Sequence, residues 1–573
     1  MSLKAFMFNE FLFISLLLLL TLVLAVPLGE YIAKVFNGKD TTVKSLFQWL
    51  EKLIYKISGI DENKEMSWKT YVFSVLIFSI FSIFGLFLLQ ELQGHLPLNH
   101  EHFGPVRWDT ALNTAISFAT NTNWQSYSGE ETMSYLTQML GLAVQNFVSA
   151  ATGIAVCMAF IRGFTRAATN TIGNFWVDLT RSIVYLLLPL SIILAFIFIS
   201  EGIIQSLKPY VIVQTLEKNS QIIPLGPVAS QVAIKFLGTN GGGFFHANSA
   251  HPFENPTLIT NFFEILAMLL IPVALPFAFG AMINSRKQGW SIFATMAILF
   301  FVEFLTATCF ELKGNPLLKQ LGIAGGTNME GKEVRFGIIS SVLFAHSTTA
   351  TSCGGVCSMH DSFTPIPGLI LLFNMGIGEV IFGGVGVGLI GLLIYAILTM
   401  FIVGLMIGRS PEFLGKKLEP FEMLMSVICL LSPPLSVLIF GGIAISISAG
   451  LSALNNFGPH GLSEILYTFA SASGNNGSAF GGVNANTLFY NFATSLAMLI
   501  GRFTTLIPAL AIAGSLSQKR FIPKGSATFT THVPIFVWLL VVVVIIMGGL
   551  TYFPVLALGP ILEHMLMHLG STF

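Results

Sequence analysis

Long apolar runs dominate the chain, and the polar segments between them are of two alternating kinds. About 20 apolar residues are needed to cross a bilayer as helix. Ten runs qualify: 7–27, 70–92, 134–160, 180–201, 258–283, 290–311, 366–406, 422–449, 487–514 and 530–553. The seventh is too long for one simple span and holds Gly376, Gly378, Gly383, Gly384, Gly386 and Gly388. That predicts either a break at membrane depth, sheltered by protein or a cavity, or close helix packing on small residues. The first run, Phe11 to Val26, has only Lys4 before it. A charged segment follows it rather than a small-residue cleavage site, so a retained span is expected.

One kind of connection is basic. Seven lysines lie from Lys34 to Lys69; Arg162 and Arg166 follow the third span, Arg286 and Lys287 the fifth, Arg409, Lys416 and Lys417 the seventh, and Lys519, Arg520 and Lys524 the ninth. Cation bias predicts that these connections face the cytoplasm, with the alternate connections and both termini outside.

The other kind is rich in Gly, Asn, Ser and Thr: Thr120 to Gln125, Thr239 to Gly243, Ser352 to Gly355, and Gly474 to Ser478. With Asn121, Gly241, Gly354 and Gly477 as markers, the separations are about 120, 113 and 123 residues, a period that reads as repeated architecture. Each segment follows a short amphipathic stretch (108–119, 227–237, 337–349, 461–472) and precedes a span. Pro227 suits a first helical position, where its missing N–H is harmless. The expected fold is an all-α polytopic membrane protein with ten transmembrane helices. Four span–pore helix–filter–span units would surround one pore with pseudo-fourfold symmetry. The expected divisions are an N-terminal span (1–36), a cytoplasmic connection (37–69), pore units at 70–161, 162–284, 285–410 and 411–520, and a C-terminal span (521–573).

Composition supports this reading. Charged residues make up 10% of the chain and hydrophobic ones 54%, against about 25% charged in soluble domains. The formal net charge of zero argues against a nucleic-acid footprint. Of the five cysteines, Cys353 and Cys357 could suggest a metal, but two thiols fall short of the four ligands of a structural zinc site.

The four segments carry the chemistry of an ion filter. Glycine permits positive φ, so consecutive carbonyls can point the same way. Asn, Ser and Thr add neutral oxygens or anchor the loop. Each short helix would turn its partially negative C-terminal end toward the ion. No carboxylate lies inside any segment, whereas hard divalent ions recruit them. Neutral oxygens therefore point to a monovalent alkali ion, with potassium favoured because carbonyl cages suit it; sodium stays open at this point.

Glu379 in the seventh span and Arg502 in the ninth are intramembrane charges, which by default mark a pathway. They are expected near one another below the filter, Arg502 repelling or gating cations and Glu379 balancing it, or else as a structural ion pair. Glu264 and Glu303 are expected nearer span ends. His346 is expected to be a satisfied core histidine, and His564 and His568 to be interfacial. Gly326-x4-Gly331-Lys332 imitates a phosphate loop but has Glu333 where Ser or Thr should bind Mg²⁺. Gly386-x-Gly388-x-x-Gly391 imitates a dinucleotide fingerprint inside a span. ATP hydrolysis would need another subunit.

The strings NTNWQSYSGE (121–130), GTNGGGFFHANSAHPFENPT (238–257), TSCGGVCSMHDSF (351–363) and NNGSAFGG (475–482) resemble the KdpA family, potassium-binding subunits of Kdp potassium-transporting ATPases. The resemblance spans nearly the whole chain. It implies a bacterial inner-membrane protein of the superfamily that includes the Trk, Ktr and HKT transporters. It also implies partnership with a P-type ATPase subunit (KdpB), a single-span KdpC and a small KdpF. Potassium would be selected at an outward-facing filter and passed through an internal tunnel toward KdpB; no organic cofactor is implied. By position the filter comprises Asn121 with Gln125 nearby, Thr239, Asn240, Gly241, Cys353, Gly354, Asn475 and Gly477, with Glu379 and Arg502 beneath. His246, Cys357 and Gly474 depart from the family, which often has Asn at each. The leading function is thus a non-hydrolytic potassium-translocating subunit of an ATP-driven importer. The alternatives are a self-sufficient channel or Trk-like symporter, and, more distantly, a membrane enzyme or electron carrier.

Overall fold

The computed structural model describes residues 3–323, 326–523 and 529–570; Lys524 of the last basic connection lies outside the described residues. In chain order the helices are α1 (Leu3–Phe36), α2 (Thr42–Ser58), α3 (Trp68–Leu92), α4 (Trp108–Ala119), α5 (Thr137–Thr165), α6 (Phe175–Ser200), α7 (Val228–Leu237) and α8 (Leu258–Met282). They continue with α9 (Arg286–Lys313), α10 (Gly337–Ala350), α11 (Pro365–Gly376), α12 (Val387–Ile407), α13 (Pro420–Ser446), α14 (Gly458–Gly474), α15 (Leu488–Gln518) and α16 (Pro534–Leu569). Ten of these are long and apolar enough to cross a membrane: α1, α3, α5, α6, α8, α9, α12, α13, α15 and α16. Among the described residues, sheet is confined to three two-stranded pairs in connections. The chain is therefore an all-α polytopic membrane protein, as the apolar runs predict.

Chemistry at the ends fixes where the helices begin. Thr41 accepts from the Lys44 N–H ahead of α2, Thr257 and Thr260 form a reciprocal cap on α8, and Glu419 and Glu422 do the same on α13; such caps satisfy N–H groups that have no partner within the helix. The seventh apolar run is two helices. Between α11 and α12 the backbone turns through positive φ at Gly378 (82°), Glu379 (50°), Phe382 (51°) and Gly386 (94°). Glu379 thus sits in a break and not on a helix. Pro227 precedes the first turn of α7 as its cap, one residue earlier than its sequence position suggests. The connection 37–69 holds the helix α2, half-wrapped onto the protein through buried Glu51, which accepts from Tyr55, Tyr185 and Arg181.

The outer surface is greasy where lipid would lie: Leu16, Leu19, Phe73, Ile80, Phe81 and Phe196 are all exposed. Inside, α5 is almost wholly enclosed, and Arg162 on it is paired with Asp178 at 2.6 Å. Helices α1 and α8 cross so closely at Gly29 that a β-carbon there would lie 2.5 Å from the Ala274 carbonyl oxygen and 2.7 Å from Phe277 Cβ. Gly29→Leu is accordingly expected to destabilise the fold by about 1–3 kcal/mol, the usual range for overpacking, read as a lower unfolding temperature in detergent. Unchanged stability would mean that α1 is not packed there.

Candidate filter and the cavity beneath it

The short helices α4, α7, α10 and α14 do not cross the molecule. Each ends inside it and hands the chain to one of the four Gly/Asn/Ser/Thr segments. The four exits follow one backbone plan. Just past each helix, at the second residue after α4, α7 and α10 and the first after α14, φ is positive: Asn121 (66°), Thr239 (46°), Ser352 (55°) and Asn475 (58°). The next residue donates its N–H five residues back into the helix: Thr122 to Ser117 O (2.9 Å), Asn240 to Lys235 O (2.8 Å), Cys353 to Thr348 O (3.0 Å) and Asn476 to Ser471 O (2.9 Å). The third again has positive φ: Asn123 (57°), Gly241 (96°), Gly354 (81°) and Gly477 (95°). This register makes Asn123, two residues beyond the marker Asn121, the counterpart of the three glycines. Asparagine tolerates the left-handed region better than most non-glycine residues, so the first segment needs no glycine.

Neighbouring segments touch in a closed circuit. The Asn121 side chain donates to Thr239 O at 3.0 Å, and Gln125 and Gly243 exchange two bonds of 3.1 and 2.9 Å. The side-chain amides of Asn121 and Asn240 meet at 2.7 Å. Asn248 donates to Gly241 O at 2.7 Å and accepts from Val356 N–H at 3.3 Å, linking the second segment to the third. Ser352 Oγ donates to Asn475 O at 3.1 Å, and Asn475 Nδ2 to Thr122 Oγ1 at 2.9 Å, which returns to the first segment. The glycines are where the backbones press together: a β-carbon on Gly241 would strike the Cys353 carbonyl, one on Gly354 the Asn476 carbonyl, and one on Gly477 the Thr122 carbonyl.

Behind the second segment lies a pair that sequence reasoning missed. Lys235, in the last turn of α7, and Glu254 are both fully buried and 2.8 Å apart. The same ammonium donates to Asn248 Oδ1 at 2.5 Å and Ser249 Oγ at 3.3 Å. The available signal is a lone charge, Lys235, on a short and mostly apolar helix. At the outer edge, Glu130 Oε2 accepts from the His246 N–H at 2.9 Å, and burial pushes the Glu130 carboxyl above the usual range.

Below the ring is a cavity bordered by Asn121, Ser352, Glu379, Gly474, Asn475 and Arg502. Glu379 and Arg502 therefore share one chamber, but among the described residues they form no ion pair. Glu379 Oε1 accepts from Asn476 Nδ2 at 2.8 Å, and Arg502 donates to Ser149 O at 2.9 Å. The remaining residues singled out by sequence fall elsewhere. His346 is buried and bonded on both ring nitrogens, to Phe300 O and Asn374. Glu264 lies in the second turn of α8, whereas Glu303 lies in the middle of α9 and not near its end. His564 and His568 face each other with ring centroids 4.6 Å apart on the last turns of α16. Cys353 and Cys357 are buried free thiols. Lys332 of the phosphate-loop look-alike is buried against Glu311 at 2.7 Å.

The family model described as "Potassium-transporting ATPase A subunit" (KdpA) matches residues 15–565. A "Potassium-transporting ATPase potassium-binding subunit" from a strain of Methylorubrum extorquens is 53% identical over 99% of this chain and 99% of its own length. Proteins of the same name from Mesorhizobium japonicum and Solibacter usitatus are 53% and 52% identical over 96% of this chain, with 96% and 97% of their own lengths covered. The match covers the spans and all four segments together, and the chain belongs to the KdpA family.

Proposed function

We propose that this chain is the potassium-binding and translocating subunit of an ATP-driven K⁺ importer in a bacterial inner membrane, with both termini outside the cytoplasm. One observation supports this reading above the rest: four segments of one backbone plan, free of carboxylates, meet in a closed circuit above a polar chamber. In this reading Asn121, Gln125, Thr239, Asn240, Gly241, Cys353, Gly354, Asn475 and Gly477 form the filter, in four units around one pore. Alternating handedness along each segment turns successive carbonyls toward a shared centre, where they replace the water lost by K⁺. Four helix C-termini add partial negative charge. The chain itself hydrolyses nothing. ATP is split by a KdpB-like P-type partner, and KdpC-like and KdpF-like subunits complete the assembly. Relatives that carry an ATPase-subunit name favour this over a self-sufficient channel or symporter.

The test is growth and Rb⁺ uptake by a potassium-import-deficient bacterium carrying this gene with and without a KdpB-like partner. Growth at low potassium only with the partner is expected; growth without it would overturn the subunit reading.

Beneath the filter, Arg502 opposes a dehydrated cation. At an effective dielectric of about 20, a unit charge about 8 Å from an ion contributes about 2 kcal/mol. Arg502→Ala is expected to raise downhill Rb⁺ leak about tenfold or more, tenfold being about 1.4 kcal/mol. Flux and selectivity equal to those of the parent would remove the gating role.

A further inference from the structure

Apart from the ring, three ionisable side chains meet where α14 begins. Asp361 belongs to the turn His360–Ser362, just past the third segment, and His460 and Glu464 stand one turn apart on α14. Their ligand atoms all lie within 4.8 Å of one another. His460 Nε2 is 2.9 Å from Asp361 Oδ1 and 3.9 Å from Glu464 Oε1. Glu464 is fully buried. Its Oε1 accepts from Asn456 Nδ2 at 2.6 Å, whereas Oε2 has no hydrogen-bond partner. A buried polar atom without a partner costs about 1–3 kcal/mol, and this one belongs to a carboxyl turned into the cluster.

The second observation comes from another element. Glu563 on α16 takes the opposite ring nitrogen, Nδ1 of His460, at 2.8 Å. With a carboxylate on each ring nitrogen, both nitrogens donate a proton; Glu563 retains the one on Nδ1, so the Nε2 position, facing Asp361 and Glu464, is the one an ion can take. Metal-binding histidines are oriented in this way by a carboxylate on the nitrogen that does not bind the ion. The side chains of His460 and Asp361 keep 15% and 12% exposure, so an ion can reach the cluster from solvent.

We propose that Asp361, His460 and Glu464 bind a first-row divalent ion of the Zn²⁺ class, with Glu563 orienting the histidine. One imidazole and two carboxylates, completed by water, form a three-ligand set of the kind zinc accepts. Imidazole favours such ions over Ca²⁺ and Mg²⁺, which prefer oxygen throughout. Binding displaces the proton between His460 Nε2 and Asp361 and releases it to solvent. The bound ion ties the turn after the third segment to the helix that carries the fourth. The Asp361 N–H already donates to Phe480 O at 2.9 Å across the same gap. A transition ion at this face therefore stiffens two adjacent quarters of the ring without entering it.

The untagged full chain, purified in detergent and stripped with chelator, would be dialysed against Zn²⁺, with Co²⁺ as a visible-spectrum reporter. One Zn²⁺ per chain is expected, together with Co²⁺ bands of a four-coordinate nitrogen and oxygen site. Glu464→Gln should weaken binding about 100-fold, since it removes a ligand, and Glu563→Gln about 10- to 100-fold, the range for lost outer-shell partners. Glu464→Gln leaves the Asp361–His460 and His460–Glu563 contacts in place, so it reports binding even if His460→Gln fails to fold. The proposal is overturned if the parent takes up no stoichiometric Zn²⁺, if Glu464→Gln binds as tightly as the parent, or if equimolar Mg²⁺ displaces the ion.

Discussion

Gly241→Asp is expected to raise the K⁺ concentration needed for half-maximal uptake by about 100-fold and to erase most discrimination against Na⁺. Three effects act together. At φ +96° a side chain is strained by about 1–3 kcal/mol. Its β-carbon would strike the Cys353 carbonyl and lie 2.6 Å from Gly354 Cα, so the second and third segments must part. The carboxylate then puts a full charge where only neutral oxygens stood, an arrangement that suits smaller or divalent cations. A combined loss of about 3 kcal/mol corresponds to about 100-fold. Gly408→Asp is the control, because Gly408 has φ +73° with nothing within 4 Å and would suffer strain without collision. Rb⁺ and Na⁺ competition curves in the import-deficient strain with its ATPase partner give the readout. Curves identical to the parent's would remove Gly241 from the filter.

The second large effect falls on stability. Lys235→Met would leave Glu254 charged, fully buried and without its cation, and would strip a donor from Asn248. Removing one partner of a buried pair costs about 3–5 kcal/mol, whereas replacing both is often close to neutral. Glu254 Oε1 also accepts from the Phe245 N–H at 2.8 Å, so glutamine is the conservative partner change. Lys235→Met/Glu254→Gln is expected to recover more than half of the loss. Because Asn248 holds the Gly241 carbonyl, the single variant should also weaken K⁺ binding. Denaturant unfolding of the four proteins forms a double-mutant cycle. Additive losses with no recovery would show that the two groups are not coupled.

How much of this is legible in the amino-acid order differs between elements for physical reasons. Apolar length and polar interruption locate the short helices to within a few residues, and 108–119 matches α4 at both ends; the spans are found but not all their ends, since α1 continues to Phe36 and α16 to Leu569, well past 27 and 553. The break between α11 and α12 can be anticipated from its glycines, but not the placement of Glu379 within it, since a non-glycine residue at φ 50° follows no sequence rule. The marker in the first segment falls two residues early because glycine spacing is the guide, and Asn123 does glycine's work there. Lys235 with Glu254, and His460 with Asp361 and Glu563, are invisible for a different reason. Their partners are distant in sequence or belong to separate elements, and only tertiary packing brings them together. Helix α2 is hidden within a basic connection because its lysines outweigh its apolar stripe.

The ring is closed by four unlike stretches of one polypeptide, and this has a genetic consequence. In an assembly of identical subunits, one codon change alters every quarter of the pore at once. In the pore proposed for this chain it would alter a single quarter and leave three untouched. If these segments form the proposed filter, substitutions at Asn123, Gly241, Gly354 and Gly477 can be combined one at a time, so that ion preference would drift in small heritable steps.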